Sequence, residues 1–420
     1  MSFILASTLV IAQPYGNEWI DYSQKYLKFQ VVKDGVYKIT YNDLDSLTNS
    51  IGISAIDPSK IQVWGRGQQQ YIHIDGDDGD NVFEPNESIE FYAKSNDGWL
   101  DSLLYDLPES QVNPYFSLYN DTATYFITFS NSPSLRYTDI VAASITTPDD
   151  YFLEEIVKYS SEQYWRGAYA SGTGKHDAEY TSGEGWFYSA YGATSHETIS
   201  ISTPNAYNNI SAPDAIVETQ YAGVNNPGGS ISHHIEVFYN NQTTPVISNP
   251  FSSFNMFNEV FSIPLSQIAA NTDIRFANGS SANTSAISAV AYVKLTYPRT
   301  YSSILDSIRI FKLPTNSATH QISLPAFYSP FNKTFVYDFA NNTRTTISGA
   351  SVEFTMPSGP ERDILVFSDL ASVFSSPLNL SLASNDGAFR DYLANSPDRA
   401  FLIVTGKSLK NEAIEYAEYR

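Results

Sequence analysis

The chain contains no cysteine. That absence removes a disulfide framework, a thiolate zinc site, an iron–sulfur cluster and a cysteine nucleophile from these residues. Positive charge is scarce: 24 Lys and Arg stand against 45 Asp and Glu, for a net charge of −21. A surface so acidic repels phosphate backbones, which excludes nucleic acid as a partner. Long apolar runs are missing too. None approaches the roughly 18 residues that a spanning helix needs, so no transmembrane helix is expected. What is present is apolar and aromatic: hydrophobic residues make up 42% and aromatics 14%, against 16% charged. That is enough apolar area to build cores, which argues against disorder. Abundant Tyr, Phe, Thr, Ser and Asn with few charges is a β-rich, extracellular-looking composition. At roughly 100–200 residues per domain the length corresponds to about two to four domains.

The first residues resemble an export address. Ser2 to Ala12 is an apolar run of signal-peptide length that ends in small residues. It is too short to span a bilayer as a helix. No Lys or Arg precedes Lys25, so the positive n-region is missing. A start further upstream, a misassigned start codon and a buried N-terminal strand are the alternatives. Residues 1–13 read as a signal-like segment.

From Tyr26 the pattern turns to short strands. Two alternating runs, Tyr26 to Val32 and Val36 to Thr40, flank Asp34-Gly35, and that arrangement predicts a β-hairpin. Tyr41 to Leu47 reads as a short helical turn. Further strands at Ile61, Gln70, Ser88 and Thr124 complete an N-terminal β domain over 14–150. Candidate strands at Thr198, Ala215, His234, Glu259, Asp273 and Ala289 are separated by Asn, Pro and Gly turns. They predict a β-sandwich or jelly-roll domain over 151–360. Near the end, Arg399 to Gly406 reads as a strand buried on both faces. Ser408 would then cap a helix whose apolar side carries Leu409, Ala413, Ile414 and Ala417. Strand then helix is the first unit of an α/β domain. Residues 361–420 are therefore expected to open a third domain that this sequence does not complete.

The chemistry-bearing patterns are few. Asp75, Asp77, Asp80 and Glu87 lie in a Gly-rich acidic loop, a composition that suits a hard cation such as Ca²⁺. The EF-hand pattern itself fails, because the glycine and third acid are transposed and the closing acid falls one position late. A calcium loop outside that pattern and a solvated hairpin turn held by Asx-type bonds both fit. The six histidines, His73, His176, His196, His233, His234 and His320, form no HExxH motif. Neighbours His233 and His234 on a strand point to opposite faces, which argues against a metal pair. No GxSxG elbow or P-loop occurs, and the glycines of 170–175 lack Walker spacing. Gly183-Glu184-Gly185-Trp186 reads as a tight turn that leads aromatics into the sandwich.

Several patterns, in order, resemble one family. They are Tyr26 to Thr40, Val63-Trp-Gly-Arg-Gly-Gln68, Ile89 to Asp101 with its Asn96-Asp-Gly-Trp99, Tyr119 to Phe126, Gly183 to Trp186, and Phe401 to Leu409. The set is similar to the N-terminal half of the PorU-like sortases of the type IX secretion system, gingipain-like cysteine peptidases of the Bacteroidota. The resemblance spans residues 15–420. It implies a secreted enzyme of the outer membrane or cell surface that removes the C-terminal sorting domain of secreted cargo and transfers the cargo to an anionic lipopolysaccharide anchor. Its partners would be cargo proteins with such domains and other type IX secretion components. Its catalytic domain would be a caspase-like α/β fold with a His/Cys dyad, a thiolate beside an imidazole.

No catalytic residue carries over. Cysteine is absent, and the family's catalytic His follows the first βα unit, beyond Arg420. The expected fold class is mainly β: an N-terminal β domain and a β-sandwich or jelly-roll domain, ending in the first βα unit of a caspase-like domain. The parent protein is expected to be a peptidase and this stretch inactive. The rival reading is a non-enzymatic surface adhesin or carbohydrate-binding β protein that binds glycan through residues 150–350. A further rival is a jelly-roll glycosidase acting through a carboxylate pair that nothing in the sequence marks.

Overall fold

A computed structural model describes residues 16–53, 55–130, 132, 134–167, 179–349, 351–392, 394 and 403–419. The signal-like segment, His176 and the glycines of 170–175 lie outside them. The described chain is mainly β, built on several sheets.

The N-terminal sandwich has a five-stranded sheet in the order Leu378–Leu382, Tyr26–Val31, Ala123–Phe129, Ile61–Gly65 and Gln68–Gln70. Facing it is a four-stranded sheet ordered Phe374–Ser375, Gly35–Thr40, Ser88–Ala93 and His73–Asp75. Alternation explains both layers. Leu27, Phe29 and Val31 point inward from one sheet and Tyr37, Ile39, Ile89 and Phe91 from the other, all buried in one core. The Phe29 ring lies 6.0 Å from Phe91 and 5.8 Å from Tyr125, within the range of favourable aromatic pairs.

The hairpin expected at Asp34-Gly35 is not formed. Tyr26–Val31 pairs with Ala123–Phe129 and Leu378–Leu382, and Gly35–Thr40 pairs with Ser88–Ala93. The turn carries the chain from one sheet to the other. Asp34 is occupied elsewhere, accepting from the Ser95 amide and hydroxyl, both at 2.8 Å. As an arch the two runs bury their apolar faces against each other, whereas a flat hairpin would need a further layer to cover them. Thr40 then starts the helix Tyr41–Ser50 through a reciprocal capping box with Asp43.

A nine-stranded sheet follows, in the order Met256–Ile263, Ala215–Gly223, Ser288–Thr300, Tyr151–Tyr159, Ile308–Leu313, Arg362–Ser368, Lys333–Asp338, Thr343–Ser348 and Thr138–Ile140. Its two halves are stitched by a single paired position, Lys312 opposite Leu153. Each half has its own cover. The sheet of His196–Ser202, Asn271–Asn278, His233–Tyr239 and Ile247–Phe251 packs on the first half through Ile201, Ile235, Val217 and Leu295. The pair His320–Leu324 and Val352–Met356 packs on the second through Ile322, Phe354, Phe311 and Ile364. The aromatic run after Gly183 forms a separate two-stranded ladder, Glu184–Phe187 on Gln163–Arg166. Phe187 is buried with Val112 of the N-terminal block, and the Tyr105 hydroxyl donates to the Glu184 carbonyl at 2.7 Å. These aromatics therefore anchor a loop of the first block.

The sheets do not break at residue 361. Arg362–Ser368 is an inner strand of the nine-stranded sheet, and Leu378–Leu382 returns to pair with Tyr26–Val31. Leu380 and Leu382 pack on the N-terminal core. Of the strand expected over Arg399 to Gly406, residues 399–402 lie outside the described residues, and 403–406 form no strand, with Val404 exposed instead of buried. The helix runs over Lys410–Tyr419, after a short 3-10 turn at Lys407–Leu409, and none of its residues is buried. Among the described residues no helix is long and apolar enough to cross a membrane.

A separate core joins the two blocks. Val36, Tyr137, Tyr337, Phe367 and Val373 are buried there, with the Tyr137 and Tyr337 rings stacked 4.3 Å apart.

Candidate functional site

The four acidic residues read as a calcium set are not brought together. Asp75 closes the strand His73–Asp75 and pairs with Lys38 at 3.2 Å. Asp77 accepts the Gly79 amide at 2.9 Å and Asp80 the Val82 amide at 2.7 Å, which are Asx turns. Glu87 is buried and accepts the Glu84 amide at 2.8 Å. Each carboxylate makes a contact to its own backbone or to Lys38. Among the described residues no group of three or more His, Asp or Glu is placed to hold a metal ion.

Four of the described histidines are tied into the fold or held neutral by it. His233 is buried, stacks on Phe251 at 5.1 Å and bonds the Asn225 carbonyl through Nε2 at 2.9 Å. His234, on the other face, contacts the Ser248 and Ser281 hydroxyls. His320 is buried with its Nδ1 2.7 Å from Asp149. Burial pushes His73 down to about 4, so it is neutral at physiological pH.

Two sequence motifs that lie apart in the chain meet in space. Trp64-Gly65-Arg66-Gly67 ends one strand, and Asp97-Gly98-Trp99 follows another. Gly65 is required because a Cβ there would overlap the Tyr125 ring. Tyr125 in turn is pinned, its hydroxyl bonding both the amide and the carbonyl of Lys94 at 3.0 Å. Arg66 and Gly67 adopt left-handed φ of 54° and 75°, a turn that glycine favours. That turn aims the Arg66 guanidinium at Asp97, which it holds through two bonds of 3.1 and 2.9 Å, and at the Ser95 carbonyl at 3.1 Å. A bidentate pair fixes orientation as well as distance. Asp97 also accepts the Trp99 amide at 3.1 Å, and Arg66 lies over the Trp99 ring at 5.2 Å.

This clamp forms one wall of a cleft of about 760 Å³ between the N-terminal sandwich and the nine-stranded sheet. Gln68, Gln69, Tyr71, Tyr92 and Lys94 line the sandwich side, and Ile310, Phe339, Asn342 and Asp363 the sheet side. Tyr92 and Phe339 face each other across the junction with centroids 5.1 Å apart. Burial raises the Tyr92 hydroxyl well above its ordinary value, so it stays protonated and can donate. The Gln69 amide nitrogen is buried with no hydrogen-bond partner. A second cavity, of about 710 Å³ beside the acidic loop, includes Arg136 and Asp139. Both of these are already engaged: Arg136 donates to the carbonyls of Pro58, Ile61 and Leu135, and Asp139 pairs with Arg344 at 3.1 Å.

No protein-family model matches the chain, and no curated protein does. Solved structures are similar in fold. The structure of dimeric latent PorU from Porphyromonas gingivalis matches with a TM-score of 0.50 over 85% of this chain, at 15% identity. The fold is PorU-like. The chain corresponds to 33% of that structure's length. A family 35 carbohydrate-binding module from Clostridium thermocellum matches 36% of this chain and 98% of its own, at 15% identity with a TM-score of 0.18. A β-porphyranase of glycoside hydrolase family 86 from Bacteroides plebeius matches 66% of this chain and 35% of its own, at 9% identity with a TM-score of 0.20. Those two scores are too low to carry an argument.

The cleft was not legible in the sequence. Its motifs are separate short segments there, and nothing local says that Arg66 reaches Asp97 or that Phe339 closes the opposite side.

Proposed function

We propose that this chain is the β-rich, non-catalytic part of a gingipain-like cysteine peptidase that serves type IX secretion at the cell surface of a Bacteroidota bacterium. The whole protein cleaves C-terminal sorting domains from secreted cargo. The observation that carries this reading is the PorU-like fold over 85% of the chain. The ordered motifs support it, and two of them meet in the Arg66–Asp97 clamp. The chain has no cysteine, so the thiolate of a cysteine peptidase must come from a further domain. In this reading the sandwiches orient that domain and contact the cargo and other secretion components. Deleting the gene in its source bacterium tests it. Secreted cargo should then accumulate with sorting domains attached, seen by mass spectrometry of surface proteins. Normally processed cargo in the deletion strain would refute the proposal.

A further inference from the structure

We infer that the cleft between the N-terminal sandwich and the nine-stranded sheet is a binding site for a short neutral oligosaccharide. This inference stands apart from the sortase reading, since it rests only on the cleft.

Its size is within the range of about 300–1,000 Å³ typical of small-ligand sites. Its chemistry is mixed in a particular way. Trp99, 37% exposed, lines the cleft as an aromatic surface whose ring is held on one side by the Arg66 guanidinium. Tyr71, Tyr92 and Phe339 supply further ring surface. Primary amides at Gln68, Gln69 and Asn342 line the same cleft. A pyranose ring offers the complement: an apolar C–H face that packs on an aromatic ring, edged by hydroxyls that both donate and accept. A primary amide carries two donors and two acceptor lone pairs, which matches adjacent hydroxyls. The Gln69 side chain lines the cleft, and its Nε2 makes no bond within the fold. A pre-fixed aromatic platform also lowers the ordering cost of binding.

Other ligand classes fit less well. A phosphate or sulfate ester would meet Lys94 in the cleft but also the Asp363 carboxylate, while the Arg66 guanidinium is committed to Asp97 and Ser95, in a chain of net charge −21. A peptide added as a strand needs an open sheet edge, and the edge strand at the cleft, Gln68–Gln70, is three residues long.

The test is a printed array of neutral α-glucans, β-glucans, xylans, mannans and galactans. Hits are titrated by calorimetry against the 420-residue chain. At least one neutral oligosaccharide should bind. Trp99→Ala should weaken it by roughly tenfold or more, as for an aromatic anchor. Gln69→Leu should weaken it too, and Tyr328→Ala, an exposed aromatic outside the cleft, should leave it unchanged. Tyr92→Phe keeps the ring and removes only the hydroxyl, so it serves if a larger truncation unfolds the chain, and it too should weaken binding. The inference is overturned if no neutral oligosaccharide binds, if only anionic ones do, or if binding survives the cleft variants undiminished.

Discussion

Replacing Lys38 with Met should destabilise the protein strongly at alkaline pH and much less in acid. Lys38 Nζ lies 2.9 Å from Glu90 and 3.2 Å from Asp75, and 5.1 Å from the Phe374 ring centroid. Glu90 is buried, and its second oxygen has no partner. Burial, the largest influence, pushes the Glu90 carboxyl above its ordinary value against the pull of Lys38. Burial also works to lower Lys38, but Glu90 and Asp75 together hold it above its ordinary value. The two directions oppose each other over one ion pair. The lysine's direction governs at neutral pH, because its ammonium faces two carboxylates and keeps 31% of its side chain exposed.

Removing the cation leaves a buried carboxylate uncompensated, a change that costs about 3–5 kcal/mol. The partial exposure of Lys38 points to the lower end, about 3 kcal/mol. The sign with pH follows from Glu90. Its folded-state pKa lies above the unfolded value, so its favourable contribution is complete in acid and is lost as pH rises through the folded pKa. Without Lys38 that pKa rises further. The gap between the variant and the native protein should therefore shrink on acidification, by up to about 1.4 kcal/mol per pH unit. Urea titrations at pH 8 and pH 5, followed by tryptophan fluorescence, measure it. Adding Glu90→Gln to Lys38→Met should recover most of the loss at pH 8. An equal gap at both pH values, or a double variant as unstable as the single one, would refute the reasoning.

Gly65→Ala should cost about 1–3 kcal/mol from overpacking against Tyr125, and about 1 kcal/mol more if the Tyr125 hydroxyl leaves Lys94. The urea midpoint measures this, and an unchanged midpoint contradicts the close approach. Calcium titrated into the chain should give no saturable heat, since the acidic loop forms no ligand set. A saturable isotherm abolished by Asp77→Asn would overturn that account.

Much of the fold was legible because its strands alternate. Tyr26–Val31, Ser88–Ala93 and Ala215–Gly223 all show in the sequence as period-two apolar runs. What the strands pair with was not legible. Asp34-Gly35 carries a local hairpin signal, but pairing is decided by which inward faces meet, and these two runs meet as opposing layers. The same limit hid the return of Leu378–Leu382 to Tyr26–Val31, a contact between segments some 350 residues apart in this numbering. It also hid the place of Arg362–Ser368 inside the large sheet. The acidic loop left two readings open for a related reason. Composition gives atoms that suit calcium, and the same carboxylates also serve the Asx-type turns of the other reading. The clamp of Arg66, Asp97 and Trp99 lies in motifs visible beforehand as separate patterns, and only the folded chain joins them.

The proposed function has this chain contact secreted cargo without cutting it. Mixing the purified chain with a secreted protein that ends in a C-terminal sorting domain tests this directly, with binding read by calorimetry and chain length by intact-mass spectrometry. The account predicts saturable binding that depends on the sorting domain, with every cargo molecule intact. Cleavage at the sorting-domain junction by this cysteine-free chain, or no binding at all, would contradict it.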